Sequence, residues 1–287
     1  MTAIKKIMAM VDGSIYSASV CDHTAWIAKK SAAAVDIVHV LAQRSGGNEQ
    51  SNLSGSIGLG ARTALLEELV ELDSQKAKLS HKLGRAVLDD AKARMSAAGI
   101  DAVTTRLRHE EIVETIENSE QDTDLIVIGK RGMAAEHDML HLGSNLERVV
   151  RSSQKPVLVA SRAFKPINRL LIAFDGGESV MKAIAYLADS PVFNDINCQL
   201  LSVGPASSKG GQRIQQAADS LTAAGLSVTV DTELGQPEEV ISQHVETAGI
   251  DLLVMGAYGH SHIRSLIIGS TTTSMIQSCK IPVLLFR

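Results

Sequence analysis

The chain of 287 residues passes one series of landmarks twice, in the same order. An apolar run from Ile4 to Val11 ends at Asp12-Gly-Ser14, and a second from Leu170 to Phe174 ends at Asp175-Gly-Gly177. Ala97-Ala-Gly-Ile100 returns as Ala223-Ala-Gly-Leu226, and Glu110-Glu-Ile-Val113 returns as Glu238-Glu-Val-Ile241. Asp124-Leu-Ile-Val-Ile-Gly129 has its counterpart in Asp251-Leu-Leu-Val-Met-Gly256, and Lys155-Pro-Val-Leu-Val159 in Ile281-Pro-Val-Leu-Leu285. Five landmarks in one order make this a tandem duplication at domain scale, with a period too long for a solenoid. Whatever fold the first half adopts, the second must adopt it too.

Within each half, short apolar runs alternate with helical patterns. In the first half the expected strands are Ile4 to Val11, Ala34 to Leu41, Asp101 to Leu107, Leu125 to Gly129 and Pro156 to Ala160. Continuous apolar strands separated by helices imply parallel βαβ units with right-handed crossovers and helices on both faces. The fold class is therefore α/β, as two tandem five-stranded parallel-sheet sandwich domains, 1–163 and 164–287. The joint from Ser161 to Ile167, with Pro166, is too short to let the halves drift apart. Each half ends in a short apolar strand with proline at its start, an edge that must be paired or covered.

The halves differ in length. From Asp12 to Gly99 is 87 positions, whereas Asp175 to Gly225 is only 50, an excess of 37 in the first half. The insertion, about 44–80, holds a Gly/Ser/Asn-rich loop and the first part of a helical pattern from Ala61 to Ala98. Leu65, Leu69, Leu72, Leu79, Leu83 and Val87 recur there at spacings of three, four and seven. Such a stripe needs a sheet or a second chain to cover it. Gly84 within it marks either a break or a close packing point.

The most specific signal lies after the fourth strand of the second half. Gly256 is followed by Gly259, and after nine further residues by Gly269-Ser270, where a helical segment starts. Glycine allows the backbone to approach a ligand closely, and the free N–H groups at a helix N-terminus favour an anion. His260, His262 and Arg264 add basic character. The pattern Gly-x2-Gly-x9-Gly-Ser resembles the ATP-binding signature of the universal stress protein family, and the resemblance to a tandem member covers essentially the whole chain. It implies an adenine nucleotide-binding, Rossmann-like sheet of order 3-2-1-4-5 in each half. It also implies a pseudo-dimer of the two halves, their last strands pairing antiparallel across a two-fold axis, with a homodimer as a further option. Carried onto this sequence, it places Phe174, Asp175, Val203 and Met255 around the adenosine moiety, with Tyr258 in a variable position between the first two glycines. Gly256 and Gly259 wrap the ribose and phosphates, and Gly269, Ser270, Thr271 and Thr272 meet the β- and γ-phosphates. The ligand it implies is ATP, with Mg or Mn as an optional companion carried by the phosphates.

The first half departs from that pattern. Gly129-Lys-Arg-Gly132 is followed by ten residues before Gly143-Ser144, and those ten include Glu136 and Asp138. A carboxylate about 6 Å from a phosphate charge opposes it by roughly 2–3 kcal/mol at an effective dielectric near 20, before salt screening. The second half is therefore the better nucleotide site. Glu136, His137, Asp138 and His141 also have a spacing that could hold a metal, although a solvated loop segment accounts for them as well.

Other classes fall away. No GxxxxGK[ST] and no GxGxxG after a first strand are present, and no nucleophile–base set stands at recognisable spacing. A formal charge of −4 gives no general affinity for nucleic acid or anionic membranes, and no apolar run reaches a membrane span. Cys21, Cys198 and Cys279 are few and scattered, which suits a reducing cytoplasm. No general base for hydrolysis is evident, so the expected role is an ATP-binding regulatory module of the stress response, with no assigned catalytic residue. Two alternatives stand beside it: a slow ATPase or adenylyl/phosphoryl-transfer enzyme of the same fold group, and a protein-interaction scaffold without nucleotide.

Overall fold

The computed structural model describes residues 4–41, 59–132, 143–205, 208–257 and 269–287, with the backbone alone described at 59–64, 66, 144, 208 and 209. The first half runs β1 (Lys6–Met10), α1 (Ser17–Ser31), β2 (Ala34–Val40), α2 (Leu59–Ala97), β3 (Val103–Arg108), α3 (Ile112–Ser119), β4 (Leu125–Gly129), α4 (Ser144–Ser152) and β5 (Val157–Ala160). The second runs β6 (Arg169–Ala173), α5 (Glu178–Asp189), β7 (Asn197–Val203), α6 (Ser208–Ala223), β8 (Ser227–Glu233), α7 (Pro237–Thr247), β9 (Leu252–Gly256), α8 (Ser270–Ser278) and β10 (Val283–Phe286). The sequence reading of alternating strands and helices holds in both halves, with ends displaced by a residue or two.

Strand order is β3-β2-β1-β4-β5-β10-β9-β6-β7-β8 in one ten-stranded sheet. Each half thus has the order 3-2-1-4-5, parallel throughout. The two five-stranded sheets are not separate bodies. β5 and β10 pair antiparallel, Val283 opposite Val159, Leu284 opposite Leu158 and Leu285 opposite Val157. An exposed edge of that kind would invite pairing with another chain, and here each half closes the edge of the other. All six of these side chains are buried.

Packing ties the seam together on both faces of the sheet. Leu158 and Leu284 belong to a cluster that runs from Ile7 and Ile37 in the first half to Ile172 and Leu200 in the second. Val157, Val159, Val283 and Leu285 join a cluster on the opposite face. Among the described residues three charged side chains cross between the halves, and the first, Lys30 Nζ, donates to the carbonyl of Val192 (3.2 Å). Lys130 Nζ donates to the carbonyl oxygens of Gln277 (2.6 Å) and Cys279 (2.9 Å) at the C-terminal end of α8. Arg287 Nη1 donates to the carbonyl of Arg151 (2.6 Å) at the end of α4. Cations at helix C-termini satisfy orphan carbonyls and complement the helix dipole.

Helix α2 has two apolar faces. Leu88, Ala91 and Met95 are buried against the first half, and Gly84 is the close packing point: a Cβ there would stand 2.7 Å from Leu107 Cδ1 and 2.9 Å from His39 Cδ2. By contrast Leu65, Leu69, Leu72, Leu79 and Leu83 remain exposed. Their expected cover against the sheet of their own chain is not found among the described residues.

Candidate functional site

Parallel strands of order 3-2-1-4-5 leave a crevice at their carboxyl ends where the connections from β1 and β4 diverge to opposite sides. Each half has a cavity there. In the second half it has a volume of about 380 Å³ and is lined by Phe174, Asp175, Val203, Met255, Gly256, Gly269, Ser270, Thr271 and Thr272, with Leu201, Pro237 and Ile241 among the others. Nine of the eleven residues named from the sequence thus surround one space. The other two, Tyr258 and Gly259, lie outside the described residues, as do His260, His262 and Arg264.

The apolar wall comes from strand ends. Phe174 and Met255 are buried and Val203 is half-buried, giving a flat-sided slot at the level of β6, β7 and β9. Asp175 is exposed, and its Oδ1 accepts the N–H of Gly177 at 2.8 Å. That bond shapes the turn into α5, and the first half repeats it, with Ser14 N–H donating to Asp12 Oδ1 at 3.0 Å. The aspartate at the end of each first strand therefore fixes its loop, whatever else it touches.

The other rim is the start of α8. Gly269 occupies the N-cap without a side-chain hydrogen bond to the first turn. The N–H groups of Ser270, Thr271 and Thr272 stand at the first three helical positions, which have no intrahelical acceptor. No charged residue occurs in α8 at all, from Ser270 to Ser278. The hydroxyls do not all face the cavity as their type suggests. Thr272 is buried, and its Oγ1 donates to the carbonyl of Gly256 at 2.9 Å, pinning the helix start to the end of β9. Thr271 Oγ1 donates to Glu238 Oε1 at 2.8 Å.

Glu238 is the residue that sequence reading missed. It served there only as a repeat landmark, while the contrast between the halves rested on acids in the glycine loops. The structure brings this carboxylate, from the first turn of α7, beside the start of α8. The repeat itself held the clue, because a Glu-Glu pair stands just before this helix in the first half and in its first turn in the second.

The first-half cavity, of about 330 Å³, is built differently. Tyr16 stands where α5 has Ser179: a Cβ on Gly129 would meet Tyr16 Cβ at 2.7 Å, and one on Gly256 would meet Ser179 Cβ at 3.0 Å. Ser80 and Leu83 of α2, with His39 and Leu41, add a wall that the second half lacks. His39 Nδ1 is hydrogen-bonded to the carbonyl of Val11 at 2.7 Å. Helix α4 carries Glu147 in its first turn, and Arg148 is paired with Glu111 at 2.6 Å. Lys130, in the glycine loop, reaches away to α8, and burial pushes its ammonium down to about 8. Glu136, Asp138, His137 and His141 lie outside the described residues, so the loop acids and the metal spacing have no structural counterpart here. Among the described residues no group of three or more His, Cys, Asp or Glu could hold a metal ion.

The three cysteines are buried thiols. Burial pushes Cys21 and Cys198 up to about 12 and Cys279 to about 11, far from a nucleophilic thiolate at neutral pH. No helix among the described residues is long and apolar enough to cross a membrane.

Comparison with known proteins agrees with this geometry at the level of the whole chain. The model of the universal stress protein family matches residues 3–161 and again 166–287. A universal stress protein of Synechocystis sp. is 38% identical over 291 residues, covering 99% of this chain and 100% of that one. A universal stress protein of Bacillus subtilis is 29% identical over 155 residues, which is 54% of this chain and 97% of the relative. One half here thus corresponds to a complete protein there. The crystal structure of a universal stress protein from Archaeoglobus fulgidus superposes with a TM-score of 0.69 at 22% identity, covering 98% of this chain and 96% of that one.

Proposed function

The chain belongs to the universal stress protein family, and from that premise we propose that its second half binds one adenine nucleotide, ATP, as a regulatory ligand. The observation that carries this reading is the convergence of nine sequence-named residues on one cavity between an apolar strand-end slot and an uncharged helix start. The residues fit the group. Phe174, Val203 and Met255 offer apolar surface to a base, Gly256 leaves room for a sugar, and Ser270 to Thr272 keep backbone N–H groups without intrahelical acceptors for phosphate oxygens. When bound, ATP would supply a polyanion that neutralises the helix start. Mg or Mn would ride on the phosphates, since the described rim offers only Asp175 and Glu238 as carboxylates.

A ligand bound only by the folded state shifts conformational populations by mass action, which is what a regulatory module in the cytoplasm requires. This reading assigns no catalytic role to any described residue of the rim. The first-half cavity, narrowed by Tyr16 and walled by α2, is the weaker candidate for the same ligand.

Mass spectrometry of ligand released from freshly purified protein, followed by calorimetry with ATP, tests the reading. We expect one ATP per chain, with adenosine binding more weakly. Two equivalent sites, or no adenine nucleotide at all, would overturn it.

A further inference from the structure

We infer that α2 is a self-association helix, pairing antiparallel with α2 of a second copy of this chain through the stripe Leu65, Leu69, Leu72, Leu79 and Leu83. This inference does not depend on nucleotide binding.

Three observations carry it. The five leucines are between 43% and 68% exposed, and no described residue from Leu65 to Leu83 is fully buried. The first buried position on the helix is Gly84, so the N-terminal part projects past the body of the first half. At about 100° per residue the leucine stripe lies roughly 110° around the helix axis from the face formed by Gly84, Leu88, Ala91 and Met95. The body of the protein is packed by one face, and the second is left for something else.

The spacing of the second face fits another helix. Leu65, Leu69, Leu72, Lys76, Leu79 and Leu83 alternate at four and three, the a/d pattern of a coiled coil, over about five turns or roughly 27 Å. The charges then choose the occupant and its direction. Glu67, Glu68, Glu71 and Asp73 fill the first part with no base among them, and Lys76, Lys78, Lys82 and Arg85 fill the second with no acid. A parallel pair would lay acid on acid and base on base. An antiparallel pair about a two-fold axis near Ser74 lays each acidic part on a basic one.

That register closes on itself. It sets Leu65 against Leu83 of the second copy, Leu69 against Leu79, and Leu72 against Lys76, with Glu68 beside Lys82 on the flank. Lys76, the one polar residue in the stripe, falls next to Asp73 of the other copy, where it fixes the register at some cost in stability. Because Leu83 also lines the first-half cavity, the partner helix would begin at the mouth of that cavity.

Analytical ultracentrifugation of the full chain tests this. We expect a reversible dimer that weakens with salt, and a Leu69→Asp/Leu79→Asp variant that is monomeric, with self-association weakened at least about a hundredfold and an unchanged far-ultraviolet spectrum. Direction is tested by charge. Glu68→Lys alone and Lys82→Glu alone should each weaken the dimer, and the double reversal within one chain should restore it, as only an antiparallel pair allows. A monomer at high micromolar concentration overturns the inference, and leucines then protected from exchange would mean that the chain covers its own stripe. A dimer that survives the double aspartate variant overturns it equally.

Discussion

Replacing Glu238 by glutamine should tighten ATP binding. The carboxylate accepts a hydrogen bond from Thr271 at 2.8 Å, and Thr271 stands at the second helical position of α8. A phosphate held at that helix start would lie on the order of 7 Å from the carboxylate charge. Coulomb's law at an effective dielectric near 20 gives about 2.4 kcal/mol of repulsion per phosphate charge. Glu238 is only half-buried, and a screening length of about 8 Å at physiological salt reduces the repulsion to roughly 1 kcal/mol, or about fivefold in affinity. Calorimetry with Glu238→Gln should therefore show tighter ATP, a gain that grows at low salt, and unchanged adenosine. The same variant loses a negative charge in the first turn of α7, which costs roughly 0.3–1 kcal/mol of stability. An unchanged ATP affinity refutes the placement of phosphate at α8. Weaker binding in magnesium with no change in chelator refutes the repulsion and makes Glu238 a cation ligand instead.

Gly256→Val should abolish most ATP binding and lower the melting temperature, because its Cβ meets Ser179 Cβ at 3.0 Å before any ligand arrives; full ATP affinity in a folded Gly256→Val variant would contradict the site. Gly129→Val should leave one ATP bound but destabilise the first half through contact with Tyr16 Cβ at 2.7 Å, a loss to be read from thermal melts. Lys130→Met removes the donor to two carbonyls at the end of α8 and should cost about 1–2 kcal/mol in denaturant unfolding; no loss would mean the seam does not use it. His23 is wholly buried, with Nδ1 on the Ser19 carbonyl at 2.7 Å and no partner for Nε2 among the described residues, and burial lowers its pKa below the ordinary 6.5. The unfolded chain then binds the extra proton first, so stability is full above about pH 6.5 and falls as pH drops toward the folded value. A His23→Gln variant should flatten that slope between pH 7 and 5, and an equally steep profile would place the titration elsewhere.

Much of the fold was legible because its signals are local. Apolar runs such as Leu125 to Gly129 are strands wherever they sit, and the doubling of five landmarks gave two copies of one topology. The edge problem at Pro156-Val-Leu-Val159 and Pro282-Val-Leu-Leu285 pointed to their pairing, since an unpaired apolar edge is a liability in any context. What stayed illegible depends on direction. Periodicity put Leu65 to Leu83 on one face of a helix but could not say that the helix turns its other face to the body. Lys130 reads as a cation in a phosphate loop, yet one long flexible side chain can reach the end of α8 as readily. Thr272 reads as a phosphate ligand, yet its hydroxyl turns back to the carbonyl of Gly256.

The same limit explains Glu238 and leads to a more general point about the two halves. Both copies carry two glutamates at the entry to their penultimate helix, before it in the first half and in its first turn in the second, and the scaffold brings that helix against the next. In the first half the acids meet guanidinium groups, Glu111 with Arg148 at 2.6 Å and Glu110 with Arg108 at 3.8 Å. In the second half the position of Arg148 is taken by Ser274, and Glu238 meets a threonine hydroxyl instead. Helix α4 carries a carboxylate of its own, Glu147, in its first turn, whereas α8 carries no charge and has Glu238 beside its start. The same strand order thus presents differently charged helix starts on the two sides of the seam. Introducing Asn145→Thr and Arg148→Ser together would carry the second arrangement into the first half. ATP stoichiometry should still remain one, because Tyr16 and α2 continue to narrow that cavity. A rise to two ATP per chain would show that charge alone, and not shape, had separated the halves.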